Sequence, residues 1–199
     1  MNPLTSVKGT IASGFILAIV VALYLSPENS YLITRNLSIW MHALAGVTWV
    51  GLLYYFNFVQ VPAMADALAD EGGPGPAAIG KYVAPRALLW FRMASAVTWL
   101  TGAWALSISP QYGFVETFIF QAPAGHMMSL GAWMGTIMLF NVWVLIWPNQ
   151  KKVLGMVEAT AEEIGKAKFT AAMASRTNVV LSVPMLLCMV GAGHGGYLF

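Results

Sequence analysis

The sequence predicts an all-α integral membrane protein of about five transmembrane helices, four of them forming a bundle built from two parallel-repeat helical hairpins. Three observations carry this. Of 199 residues, 58% are hydrophobic and only 9% charged, against roughly 25% charged in soluble chains. The chain supplies about five stretches with the ~20 predominantly apolar residues that one helical crossing of a bilayer needs. The second and fourth of these stretches repeat one another. The 10 Lys+Arg and 8 Asp+Glu cannot coat a water-exposed globule, and so many bulky apolar side chains exclude disorder. A net charge of +2 offers no basic tract for nucleic acid, and the single Cys188 leaves no disulfide framework, no CxxCH haem attachment and no thiolate metal cluster in this chain.

The expected spans are 10–26, 38–61, 86–108, 126–147 and 174–197. The first begins after Lys8 and has the look of a signal-peptide core. Ser26-Pro27-Glu28-Asn29 offers no small-x-small cleavage site, so this helix is expected to stay attached. The spans divide a single membrane domain, 1–199, into a first helix and outer loop (1–37), repeat one (38–108), an outer loop (109–125) and repeat two (126–199). Lys and Arg set the orientation. With the N-terminus inside, nine of the ten cations lie at or near the cytoplasmic face and only Arg35 lies outside. That predicts a multi-pass inner-membrane protein with a cytoplasmic N-terminus and a periplasmic C-terminus. The inner connection 149–173 reads as an interfacial or solvated helix with pairs such as Glu162–Lys166. The other inner loop, 63–85, carries the turn-forming Gly72-Gly73-Pro74-Gly75-Pro76.

At an offset of 84 positions His42 matches His126, Trp49 matches Trp133, Gly51 matches Gly135, Phe56 matches Phe140 and Asn57 matches Asn141. Each span then reaches a proline (Pro62, Pro148), a cytoplasmic connection, an arginine (Arg86, Arg176) and a further span ending near glycine. Both matched helices run inward, so the repeats are expected to be related by an axis along the membrane normal. A step of seven falls about 20° short of two full turns. His42, Trp49 and Phe56 therefore form one stripe, and His126, Trp133 and Phe140 another, both expected to line the bundle interior.

All three histidines fall toward the outer leaflet: His42 and His126 near the outer starts of their helices, His194 near the outer end of the last. Two imidazoles from facing helices can ligate opposite faces of a planar macrocycle, so haem b is the expected cofactor, with His42 and His126 as axial ligands. Trp49 and Trp133 would line it. His194 is an alternative ligand or a contact to a second group, and Arg35 a candidate partner for a propionate. A copper or zinc site built from the three imidazoles is the alternative. No Asp or Glu lies within a span, so a carboxylate proton relay has no members. Arg92 is expected to snorkel to the inner interface. Asn57, Asn141 and Asn178 are expected to bond between helices.

The run from His42 through Gly46, Thr48, Trp49, Gly51, Tyr54, Phe56 and Asn57 to Phe58 resembles the urate oxidase N-terminal domain family, the membrane part of PuuD-type urate hydroxylases. So do Val83-Ala84-Pro85-Arg86, the stretch Gly135–Trp143 continuing through Trp147-Pro148-Asn149-Gln150, and Ala174-Ser175-Arg176-Thr177-Asn178. The resemblance covers most of 38–194. The His-led, Trp-Gly-containing helix is also distantly similar to membrane haem proteins of the HemJ type and the copper-resistance D group. The family resemblance implies a bacterial inner-membrane oxidoreductase passing electrons from urate to a C-terminal cytochrome c domain. This chain has no CxxCH and ends at Phe199, so the expected acceptor is a separate cytochrome c or a larger respiratory complex. Self-association as a homo-oligomer is compatible with the composition. The competing expectation is a non-catalytic structural or assembly subunit of such a complex.

The orientation can be checked directly. A cysteine placed at Gln111 should be modified by an impermeant reagent added from outside, and one at Gly73 should not. The reverse pattern would move all three histidines to the inner leaflet.

Overall fold

The computed structural model describes residues 2–25 and 30–194. Among these there is helix and no strand. The chain divides into two compact units, Met1–Leu37 and Ser38–Phe199.

In the first unit a short 3₁₀ turn, Pro3–Thr5, leads into α1, Val7–Tyr24. The Ser6 hydroxyl accepts from the Gly9 N–H at 3.0 Å and so caps the helix start. None of the 18 residues of α1 is buried. A helix this apolar with no buried face is suited to lipid on all sides.

Helix α2, Ser30–Tyr55, runs into the second unit and continues through a π-turn, Phe56–Gln60, into α3, Val61–Ala69. A second π-turn, Ile79–Val83, precedes α4, Ala84–Ser107. The connection that follows α4 holds the short α5, Phe114–Phe118. Helix α6, Met127–Phe140, passes through a third π-turn, Asn141–Ile146, into α7, Trp147–Val153. The last helix, α8, is Ala161–Gly193. All three π-turns stand just before a proline at the start of the next helix: Pro62, Pro85 and Pro148. Proline lacks an N–H and its ring collides with the carbonyl four residues back. A wider turn upstream relieves both problems and lets the helix continue.

This shifts several boundaries. The second and fourth spans were expected to stop at Pro62 and Pro148, but the helical runs extend over Tyr31–Ala69 and Met127–Val153. Arg35 lies in α2 and not in a loop. The second half of the 149–173 connection is the beginning of α8, started by a Thr160/Glu163 capping box. There Lys166 and Glu162 pair at 2.7 Å, as expected. Among the described residues four runs are long and apolar enough to cross a membrane: Val7–Tyr24, Tyr31–Ala69, Met127–Val153 and Ala161–Gly193. Helix α4, about 36 Å long by its rise, is not among them, because Arg86, Arg92 and its Ser and Thr residues lower its hydropathy.

Helices α4 and α8 each bond to both α2 and α6. Thr98 of α4 accepts from His42, and Trp99 donates to Thr136 of α6 at 3.0 Å. Ser182 of α8 meets Tyr54 of α2 at 2.9 Å, while the Asn178 amide donates to the Met138 carbonyl of α6 at 3.0 Å. In each pair the partner numbers fall as the first rise, so neighbouring helices are antiparallel and α2 and α6 run the same way. The core between them includes Trp49, Leu53, Phe56, Phe91, Met138 and Val142.

The α6–α8 contact depends on Gly131. A Cβ there would meet Cys188 Cβ and Met189 Cε at 3.2 Å, whereas one on Gly135 would meet nothing within 4 Å. Small residues are what allow membrane helices to approach this closely. Gly131→Leu should cost about 1–3 kcal/mol by overpacking, read as a lower unfolding midpoint in detergent. Gly135→Leu should leave that midpoint unchanged.

Candidate functional site

The three histidines occupy three different settings. His42, half buried on α2, places Nδ1 at 2.8 Å from the carbonyl oxygen of Thr98. A carbonyl can only accept, so Nδ1 carries the proton and Nε2 keeps its lone pair. Gly102, one turn along α4, makes room for the ring: a Cβ there would come within 2.9 Å of His42 Cε1 and Nδ1. An imidazole fixed by Nδ1–H to a backbone carbonyl, with Nε2 free, is the arrangement of metal-ligating histidines.

His126 caps the start of α6, just after Gly125, whose φ of +92° suits glycine. It is exposed, and its ring lies 5.9 Å from that of Phe120. Phe120 has a left-handed backbone, φ +59°, which costs a non-glycine residue about 1–2 kcal/mol. His194 ends α8, is exposed, and donates from Nδ1 to the Val190 carbonyl at 2.8 Å, leaving its Nε2 free as well. No group of three or more His, Cys, Asp or Glu side chains converges among the described residues.

The two stripes do not match. On α2, Trp49 is 2% and Phe56 9% exposed, so this stripe faces inward as expected. On α6, Trp133 is 42% and Phe140 55% exposed. The expectation that both stripes line the interior fails for α6, because its Gly131 and Met138 side, roughly opposite the His126 stripe, is the side taken up by α8. Trp133 instead donates to the Phe118 carbonyl at 3.0 Å. It ends an aromatic chain, Trp99–Phe114–Phe118–Trp133, with centroid steps of 6.3, 5.0 and 5.4 Å. Tyr112 donates to the Ala192 carbonyl at 2.8 Å. The connection around α5 is therefore tied to α4, α6 and α8, the helices on which or beside which His126 and His194 sit.

Farther in, the interior is polar by pairing. Asn141 donates to Asn178 Oδ1 at 2.8 Å, and Asn57 donates to Ser175 Oγ at 2.8 Å. Trp143 donates to Ser95 Oγ at 3.2 Å. The interhelical role expected for the three asparagines is what the structure has. Among the described residues four buried side-chain polar atoms have no hydrogen-bond partner: Trp49 Nε1, Gln60 Oε1, Arg92 Nη1 and Ser129 Oγ. Trp49 lies two turns along the His42 face, so an uncommitted donor and an uncommitted nitrogen lone pair share one side of α2. Arg92, expected to reach the inner interface, has its guanidinium stacked on the Trp147 ring, 3.6 Å from the ring centroid. Sequence inspection missed Thr98, Gly102 and Phe120, whose relevance exists only across helices or loops and leaves no local spacing to read.

Residues 105–199 match the family model described as urate oxidase N-terminal. The resemblance read from the sequence holds over this stretch, which carries His126, His194, Asn141 and Asn178 but not His42. No curated protein matches the chain. No solved structure matches it.

The asparagine pair gives a stability test. Asn178→Ala removes both the acceptor for Asn141 and the donor to Met138 and should cost about 1–2 kcal/mol in a denaturant titration of the detergent-solubilised protein. Thr177→Ala, on the exposed side of the same turn, should stay within about 0.5 kcal/mol.

Proposed function

We propose that this chain is a b-type haem protein of a bacterial inner membrane, carrying electrons between a donor at the membrane or periplasmic face and a cytochrome c-like acceptor. The observation that carries the reading is His42: an imidazole oriented through Nδ1 by the Thr98 carbonyl, backed by Gly102, with Nε2 not engaged in a hydrogen bond. The family match over 105–199 supports it from the other half of the chain. His126, its counterpart at the 84-residue offset, would be the second ligand in this reading, and His194 the alternative. Trp133 would be a flanking aromatic.

Haem supplies a one-electron iron couple when bound; the protein's part is to hold and tune it. The Thr98 carbonyl keeps His42 in one tautomer and raises the basicity of Nε2. The Trp49 indole N–H is a buried donor that no protein acceptor takes up. In the enzymatic form of this proposal, urate or another small reductant delivers the electrons at the outer face. Five spans, with α4 as the third, and two parallel hairpins, α2–α4 and α6–α8, complete the picture. The nine-to-one distribution of cations supports a cytoplasmic N-terminus and a periplasmic C-terminus.

A second reading is favoured by the exposed α6 stripe of Trp133 and Phe140. Here the chain is a structural or assembly subunit whose outward aromatics pack against a larger membrane complex.

An optical spectrum of the dithionite-reduced protein, expressed with adequate haem supply, separates the two. His42→Ala and His126→Ala should each abolish the low-spin bands, and His194→Ala should have a smaller effect. Gly102→Val should lower haem occupancy by pushing on the His42 ring. Equal retention of haem in His42→Ala and His126→Ala would defeat the ligand assignment, and absence of haem absorbance in the parent protein would favour the subunit reading.

A further inference from the structure

The inner end of the bundle holds a second unspent group. The Arg92 guanidinium lies over the Trp147 ring with its centre 3.6 Å from the ring centroid, and its Nη1 is buried without an acceptor. Lys151, one turn beyond Trp147 on α7, places its ammonium 5.9 Å from the centroid of the same ring. Two cations thus share one indole. The ion pairs among the described residues are Lys152 with Glu163 and Lys166 with Glu162, so neither Arg92 nor Lys151 has a carboxylate. Stacking on an aromatic face attracts a cation but accepts no N–H hydrogen bond in the ring plane. A buried guanidinium N–H with no acceptor is costly unless something accepts from it.

We propose that Arg92 and Lys151, which both approach the Trp147 indole, bind the phosphate group of an anionic ligand. The planar fork of arginine matches phosphate oxygens in pairs, and lysine adds a point charge. Trp147 holds the fork in place and covers its face. The location suits such a ligand: Lys151 lies near the end of the apolar run Met127–Val153, where helices meet headgroups and tryptophan collects. The shared chemistry is a phosphate oxyanion, which a phospholipid headgroup or free phosphate can supply.

The two sources are separable. The purified full chain is exchanged into micelles doped with equal amounts of phosphatidylglycerol and phosphatidylethanolamine, and retained lipids are counted by native mass spectrometry. Inorganic phosphate is titrated calorimetrically in parallel. Preferential retention of phosphatidylglycerol that falls about fivefold in Arg92→Gln and in Lys151→Gln assigns the site to a headgroup. Phosphate binding that weakens to the same extent, without lipid preference, assigns it to a soluble anion. If neither probe binds, or if binding is unchanged in both variants, the proposal is wrong. Should Arg92→Gln fail to fold, Lys151→Gln, on a part-exposed side chain, decides alone. Haem absorbance is unaffected in either variant, so this test and that of the outer site fail independently.

Discussion

Lipid offers no hydrogen bonds, so every polar group carried into the bundle has to find its partner on another helix or on its own backbone. That constraint organises the second unit. His42 with Thr98, Trp99 with Thr136, Trp143 with Ser95, Tyr54 with Ser182, Asn57 with Ser175 and Asn141 with Asn178 are six contacts that cross between helices. Apolar packing alone distinguishes poorly between one helix rotation and another when lipid is as greasy as leucine. These bonds, together with the close approach at Gly131, choose the rotation. The same constraint makes the four unpartnered buried atoms informative, since each stands where the pairing is incomplete.

The class of fold and most of the helices could be read in the chain. Hydropathy located the apolar runs, and the Thr160–Glu163 box and the Glu162–Lys166 pair are local signals that mean in the structure what they mean in the sequence. Prolines were misleading in one respect. Pro62 and Pro148 look like terminators, yet each begins a further stretch of helix, because the preceding π-turn creates the space the ring needs. Arg35 was placed in a loop because the polar cluster around Pro27 hides how early α2 begins.

The candidate site was legible residue by residue but not as an arrangement. The 84-residue offset and the step of seven flagged His42, Trp49 and Phe56 as one stripe, and on α2 that stripe turns Trp49 and Phe56 inward. Repetition then implied the same for His126, Trp133 and Phe140, and there it failed. Periodicity says which residues share a side of a helix, not which side meets a neighbour. Gly131 settles that for α6, and nothing at position 47, its counterpart in α2, is a glycine: Val47 is there, and it is exposed. A glycine at 131 and a valine at 47 leave the two matched positions facing different surroundings, close against α8 in one case and exposed in the other.

The π-turns carry a further implication for reading this chain. A turn that accommodates one extra residue over nearly the same rise rotates all that follows by roughly 100°. The surface presented by Val61–Ala69 is therefore out of step with the helical wheel drawn from His42, and that of Trp147–Val153 with the wheel drawn from Met127. Lys151 comes round to the indole of Trp147 within the new phase, and a helical projection carried unbroken through the prolines would assign both α3 and α7 the wrong face.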